Sequence, residues 1–308
     1  MPSAATEPAA KVARKSPRTS ESGGTLLGVR SAALFLTPSG LLIAIFLVFP
    51  AVWTIYLGMT NYRLTGPTAA QADFVGFENY TRAVTDPAFT GSLSITLVYV
   101  AGSALVGQAV LGFALAWILK DWNPKLRQAI EMIVIIAWII PGSVVAFLWL
   151  AFLDGNDGTL NQILGLDTRW LLRYPVVSII VFNAWRGTAF SMMLFGAAIA
   201  SLPPSHLQTA RLVGASTFQQ LRDVVLPSIK GYITTTILLI SLWTFNDFGP
   251  YLLTGGGPAG QTEVLPIFIY VRALRFFDFG YGSAASTVML LINLVFALIY
   301  LRLSRKRA

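Results

Sequence analysis

The sequence predicts an all-α membrane protein: a polytopic bundle of six transmembrane helices, with one long cytoplasmic loop built from two short amphipathic helices. Three observations predict it. Only 12% of the 308 residues are charged and 55% are apolar, whereas a soluble domain carries about 25% charged residues. The apolar residues stand in long uncharged blocks and not at the spacing of half-buried helices or strands. The 22 Lys and Arg residues gather on alternate connections between the blocks, as orientation in a membrane requires.

Residues 1–30 are rich in Ser, Ala, Pro and Gly with scattered basic residues, a composition that cannot bury enough apolar surface to fold and reads as a disordered cytoplasmic tail. The membrane-spanning body covers 31–302. Its six blocks run from Ala32 to Met59, Leu93 to Leu119, Met132 to Leu153, Pro175 to Leu202, Gly231 to Leu253 and Ser283 to Leu301. Each is long enough to cross the hydrocarbon layer as helix, which takes roughly 17 to 25 residues. The first is much longer than the apolar core of a secretion signal, about 7 to 15 residues, and is expected to be retained. A basic C-terminus, 303–308, completes the chain.

Alternate connections place the tail, Lys120 to Glu131, Pro203 to Lys230 and Arg302 to Arg307 on one side, with fifteen Lys or Arg residues. The other side has six, Arg63, Arg82, Arg169, Arg173, Arg272 and Arg275, and Arg186 lies inside a span. Both termini are therefore expected in the cytoplasm. The net charge of +8 is a topology signal, and no basic stripe interleaved with aromatics points to nucleic acid. On the outer side, Asn61 to Ser92 forms a long segment with Gly66-Pro67 and Asp86-Pro87 turns. Glu263 to Tyr281 reads as an interfacial helix, because Phe, Tyr and Arg favour the membrane boundary.

Several chemistries are excluded or disfavoured. No cysteine is present, so disulfides, thiolate metal sites and a Cys nucleophile are out. The single histidine, His206, disfavours imidazole metal sites and a His-dependent triad. Gly255-Gly-Gly-Pro-Ala-Gly260-Gln261-Thr262 approaches a phosphate-binding loop, but Gln261 stands where that motif needs lysine and the segment leaves a span on the outer side. It reads as a tight Gly/Pro turn.

The longest inner loop, residues 203–230, carries the local signals. Pro203-Pro204 ends the fourth span and Ser205 can cap a helix from His206 to Val213, with Leu207, Ala210 and Val213 on one face. Gly214 permits a break. Ser216 and Gln219 form a capping box for a second helix, with Phe218, Leu221 and Val224 or Val225 on one side, stopping at Pro227. Such a pair either seals the bundle or fits into a partner's groove. The residues alone leave both open.

Inside the membrane, Arg186 in the fourth span and Asp247 in the fifth must face the interior, since a charge at the bilayer centre costs about 2.5 to 3.5 kcal/mol or more unless paired or hydrated. Asn183, Trp185, Trp243, Asn246 and Tyr251 lie around them. This mixture of amide, carboxylate and aromatic groups suits the hydroxyls and apolar faces of a sugar ring. The competing reading is an Arg–Asp pair that only fixes two helices. Gln108 and Asn293 read as interhelical hydrogen-bonding residues, and Trp138, Trp149 and Pro141 as packing or kink residues.

The inner loop resembles the Glu-Ala-Ala ("EAA") loop of permease subunits in binding-protein-dependent ABC importers. Gln208, Thr209 and Ala210 occupy the Glu-Ala-Ala positions, Gly214 the glycine, and Val224, Leu226 and Pro227 the closing positions. Further segments resemble the carbohydrate-uptake branch, the maltose and glycerol-phosphate type permeases: Phe77-Glu-Asn79-Tyr80, Asp86-Pro-x-Phe89, Gly158-Thr-Leu-Asn161, Ala200-Ser-Leu-Pro203 and Leu253-Thr-Gly-Gly-Gly-Pro258 with Thr262. The resemblance implies a transport subunit and not an enzyme, in the plasma membrane of a bacterium or archaeon. On this resemblance it is expected to work with a second homologous permease, two ABC ATPase subunits that hold ATP and Mg, an extracytoplasmic solute-binding protein and membrane lipid. The cargo it implies is a sugar, or alternatively glycerol-3-phosphate or a glycerophosphodiester. A membrane-embedded enzyme or a structural bundle is the reading from outside the family. Leu207, Gln208, Thr209, Ala210, Gly214, Phe218, Leu221, Leu226 and Pro227 would couple to the ATPase. Two departures stand out: Gln208 replaces the usual acid and Val213 the usual aspartate.

Overall fold

The computed structural model describes residues 29–305. The tail lies outside them, except that Val29 and Arg30 already belong to the first helix; residues 306–308 also lie outside. The chain divides into two units, one ending at Pro50 and the other running from Ala51 onward. In the first, helix carries an exposed apolar surface that includes Leu34, Phe46 and Phe49. The candidate span that begins there, α1, is Ala33–Gly58.

The second unit holds the other spans. After α2 (Glu78–Thr85), α3 occupies Pro87–Leu119. It starts six residues before the apolar block because Asp86 accepts a hydrogen bond from the Ala88 N–H at 2.8 Å and Pro87 fits the first helical turn. Its middle, Val100–Gln108, is π-helical. The helix α8 (Pro175–Ala200) agrees with the fourth block, and α14 (Phe279–Arg305) extends the sixth at both ends.

Two blocks read as single spans are broken. The third is α4 (Pro124–Ile139) followed by α5 (Gly142–Phe152), bent by 100°. Pro141 explains this: its ring pushes Ile140 into extended backbone (ψ 134°), which no helix continues. Asn123 caps α4 by accepting from the Lys125 N–H, so the helix begins inside the expected inner connection. Two short outer helices, α6 (Thr159–Leu164) and α7 (Trp170–Arg173), precede α8.

The inner loop contains α9 (Pro204–Leu212) and a second helix, α10, over Thr217–Ser228. The α10 axis meets α11 (Lys230–Phe245) at 75°. The helix α11 stops short of the expected Leu253, because Asn246–Phe248 leave the helix and α12 (Gly249–Thr254) restarts it.

The outer Glu263–Tyr281 segment is not an interfacial helix throughout. Its first turns, α13 (Leu265–Tyr270), are core: Leu265, Ile267 and Phe268 are fully buried. The Leu265 N–H donates to Thr96 Oγ1 at 2.8 Å inside the bundle. Only the following stretch with Leu274, Phe276 and Phe277 is exposed.

Helices α3 and α8 approach closely through small residues, the usual solution where apolar surface gains nothing by leaving lipid. A Cβ on Gly107 would stand 2.4 Å from the Ala184 Cβ. Hydrogen bonds add to the contact, with Ser191 Oγ donating to the Gln108 carbonyl at 2.6 Å. On the outer side, Asn79 donates to the carbonyls of Gly58 (3.1 Å) and Thr60 (2.8 Å), and Asp278 holds Arg63 and Arg82.

Candidate functional site

Three spans meet at the intramembrane polar cluster. The end of α11 turns out of helix at Asn246, and this puts Asp247 where its carboxylate can cap α12: Oδ1 accepts from the Gly249 N–H at 3.1 Å. From α3, Tyr99 Oη donates to Asp247 Oδ2 at 2.7 Å. From α8, Arg186 Nη1 stands 3.6 Å from Oδ1. The ion pair expected from the sequence exists, but Tyr99, unnoticed in an apolar block, makes the closer contact.

Beside the pair, Asn183 Nδ2 donates to Ser103 Oγ at 2.9 Å and to Thr244 Oγ1 at 3.3 Å, and Gln108 Nε2 donates to the same Thr244 hydroxyl at 3.2 Å. Gln108 is thus the interhelical link that its position suggested. A cavity of about 30 Å³ lies between these amides, the Arg186 side chain and an aromatic wall of Trp138, Phe190 and Trp243. Trp138 and Phe190 stack at 5.8 Å, and Trp243 leans on both.

The structure gathers Asn183, Arg186, Trp243 and Asp247. It does not bring Asn246 or Tyr251 with them. Asn246 exchanges side-chain hydrogen bonds with Asn293 of α14 (3.2 and 3.3 Å), and Tyr251 Oη accepts from Arg275 Nη2 at 2.7 Å at the outer end. Trp185 also turns away, toward Trp149 at 5.8 Å in a separate groove. Among the described residues, no group of three or more His, Cys, Asp or Glu is placed to hold a metal ion.

The second site is the inner loop. Gly214 has φ +81°, the left-handed backbone that glycine adopts without strain, and so turns α9 into α10. The capping box is present: the Gln219 N–H donates to Ser216 Oγ at 3.3 Å and the Ser216 N–H to Gln219 Oε1 at 2.8 Å. The first helix, however, opens at Pro204 without a side-chain cap, so Ser205 lies within it and does not cap it.

Two expected faces are also corrected. Leu207, Ala210, Leu221 and Val225 turn toward the bundle, whereas Val213 and Phe218 turn away, with Phe218 67% exposed and Leu212 88%. Phe218 stands in the first turn of α10, beside the hinge, and the stretch that follows, Gln220–Val225, is π-helical, so the i, i+3 spacing of a regular helix does not carry over from Phe218 to Leu221. Gln208, Thr209 and Pro227 are exposed, and Leu226 is half-buried. Arg211 reaches back to Asp121 at 3.4 Å. The Asp121 carboxyl is held below its ordinary range, first by the hydrogen bond from Lys120, which outweighs partial burial. The loop therefore presents an apolar tip, Leu212, Val213 and Phe218, on a well-anchored base.

Residues 108–308 match the family described as binding-protein-dependent transport system inner membrane component. The chain belongs to that family. Among curated relatives of this transport component, a probable ABC transporter permease of Pyrococcus horikoshii is 32% identical, over 89% of this chain and 95% of the relative. The sulfoquinovosyl glycerol transport system permease protein SmoG of Agrobacterium fabrum is 28% identical, over 90% and 91%. The trehalose/maltose transport system permease protein MalF of Thermococcus litoralis is 27% identical, over 89% and 93%. A solved bacterial alginate ABC transporter, in complex with alginate pentasaccharide-bound periplasmic protein, contains a chain of the same fold. It has a TM-score of 0.77 and 23% identity, over 90% of this chain and 95% of that one. The protein is thus a multi-pass membrane component of a transport system.

Proposed function

We propose that this chain is one permease subunit of an ATP-driven ABC importer and forms half of the pathway for a sugar. An extracytoplasmic binding protein delivers the cargo, a second homologous permease supplies the other half, and two cytoplasmic ATPase subunits hold ATP and Mg. Both termini lie in the cytoplasm of a bacterial or archaeal cell. The relatives named for sulfoquinovosyl glycerol and for trehalose/maltose support a sugar as cargo.

The observation that carries the mechanical part is the inner loop. Three large apolar side chains at the tip of a capped, glycine-hinged helix pair, on a base fixed by Ala210, Leu221 and Val225, are unsuited to water and suited to a groove on a partner. A seal would turn those side chains inward. ATP-driven closure of the ATPases would move the tip, and α10 passes that movement through the 75° bend to α11, whose end carries Trp243 and leads into Asp247. Binding residues in the pathway are Asn183, Arg186, Trp243 and Asp247.

The test is a photo-crosslinking residue at position 218 in cells producing the whole transporter. Capture of an ABC ATPase, identified by mass spectrometry, supports the reading. Crosslinks to lipid alone would overturn it.

A further inference from the structure

Asp247 does not use Arg186 for its own satisfaction. Its carboxylate takes a hydrogen bond from Tyr99 and another from the Gly249 N–H. Arg186, at 3.6 Å, is outside hydrogen-bonding range, and among the described residues its guanidinium makes no hydrogen bond. All five of its N–H donors remain for something else. Exposure points the same way, since the Arg186 side chain is 26% exposed and that of Asp247 9%. The charge shown to the cavity is the cation.

Beyond Asp247, the groups around that cavity bring no counter-charge to the cation. Its lining has amides, hydroxyl and aromatic rings but no carboxylate. Gly142, the first residue of α5, packs so close to the guanidinium that a Cβ there would come 2.9 Å from Arg186 Nη2, and α5 starts without a side-chain cap. Shape adds a constraint. The cavity is small, about 30 Å³, so the group that reaches Arg186 is a substituent of the cargo and not a whole sugar ring. The ring must lie outside, where Trp243, 57% exposed, offers an apolar face.

From this geometry we infer that the cargo carries an acid group, such as a carboxylate, sulfonate or phosphate on a sugar or polyol, and that Arg186 selects it. The inference rests on the pathway assigned above. Arg186 provides a fixed planar fork for an oxyanion, while Asp247 holds the α11–α12 break and keeps Arg186 from swinging away.

The test is direct binding to the purified full-length chain by calorimetry, with trigalacturonate, maltotriose and glycerol-3-phosphate as probes. Trigalacturonate is expected to bind at least tenfold more tightly than maltotriose, with the preference shrinking as salt rises. Arg186→Gln should reduce it to under threefold, and Arg186→Lys should keep part of it. If Arg186→Gln does not fold, Arg186→Gln with Asp247→Asn, which leaves no unpaired charge, is expected to show the same loss. Equal binding of the two trisaccharides overturns the inference and leaves the sugar reading standing. Binding of glycerol-3-phosphate alone, lost in Arg186→Gln, supports the acid-group selection and overturns the sugar reading. An acid preference that survives Arg186→Gln, or binding of none of the three, overturns the inference.

Discussion

Tyr99 and Asp247, 148 residues apart, form the shortest side-chain joint between the second and fifth spans, with Tyr99 Oη 2.7 Å from Asp247 Oδ2 and both residues buried. The joint fixes a carboxylate at the point where α11 leaves helix. Tyr99→Phe keeps the ring and deletes the donor, which leaves a buried carboxylate oxygen short of a partner. The expected cost is about 1–3 kcal/mol, read as a lower melting temperature of the detergent-purified protein. Equal melting of variant and parent would show that the joint does not hold the break.

Gly214→Val is expected to reach the membrane but to abolish uptake and substrate-stimulated ATP hydrolysis. A Cβ at this position meets nothing within 4 Å, so the damage comes from backbone: a β-branched residue at φ +81° is strained by about 1–3 kcal/mol and re-aims the apolar tip. Gln208→Glu, on the exposed side of α9, should leave transport intact. Normal coupling in an assembled Gly214→Val transporter would reduce the loop to a seal.

How much was legible beforehand depended on the kind of signal. Charge depletion and block length gave the bundle, because lipid imposes them on every span. The capping box and Gly214 were legible because each is a local rule. The breaks at Pro141 and at Asn246–Phe248 were hidden inside apolar blocks, where hydropathy averages over the residues that matter, although Pro141 and the Asp247-x-Gly249-Pro250 run carried the signal. Tyr99 was missed because one hydroxyl in an apolar block looks like packing. The separation of Asn246 and Tyr251 from Arg186 is tertiary: α12 swings Tyr251 outward, and no spacing in the sequence records that.

The outer joint has a pH signature. Burial works to raise the Asp86 carboxyl, but hydrogen bonds from Tyr281 Oη (2.6 Å) and the Ala88 N–H, with Arg272 and Arg82 nearby, hold it below its ordinary value of 3.8. A depressed carboxylate contributes stability that is present above the unfolded value and is lost as pH falls through the folded one. The melting-temperature advantage of the parent over Asp86→Asn should therefore be full at pH 6 and fade below about pH 4. An advantage independent of pH would show that the Asp86 charge contributes nothing to it.

The orientation is testable in intact cells. Single cysteines at Thr68 and Thr159 should react with an impermeant maleimide, and one at Gln219 should not, since this chain has no native cysteine to confuse the readout. Labelling at Gln219 would invert the assignment of sides.

Phe218 separates docking from folding. Its ring is mostly in solvent and belongs to no buried cluster, so Phe218→Ser should change stability by less than about 0.5 kcal/mol. If the ring sits in an ATPase groove, the same change removes an aromatic anchor, and such anchors cost about 2 kcal/mol or more when truncated. The ATPase should then co-purify at least tenfold less well, while the melting temperature of the isolated chain stays put. Leu221→Ser supplies the contrast. That side chain packs against the core, so its loss should lower the melting temperature as well as the ATPase recovery. Parallel losses of stability in both variants would mean that Phe218 packs against the bundle, and undiminished ATPase recovery in Phe218→Ser would place the contact elsewhere on the loop.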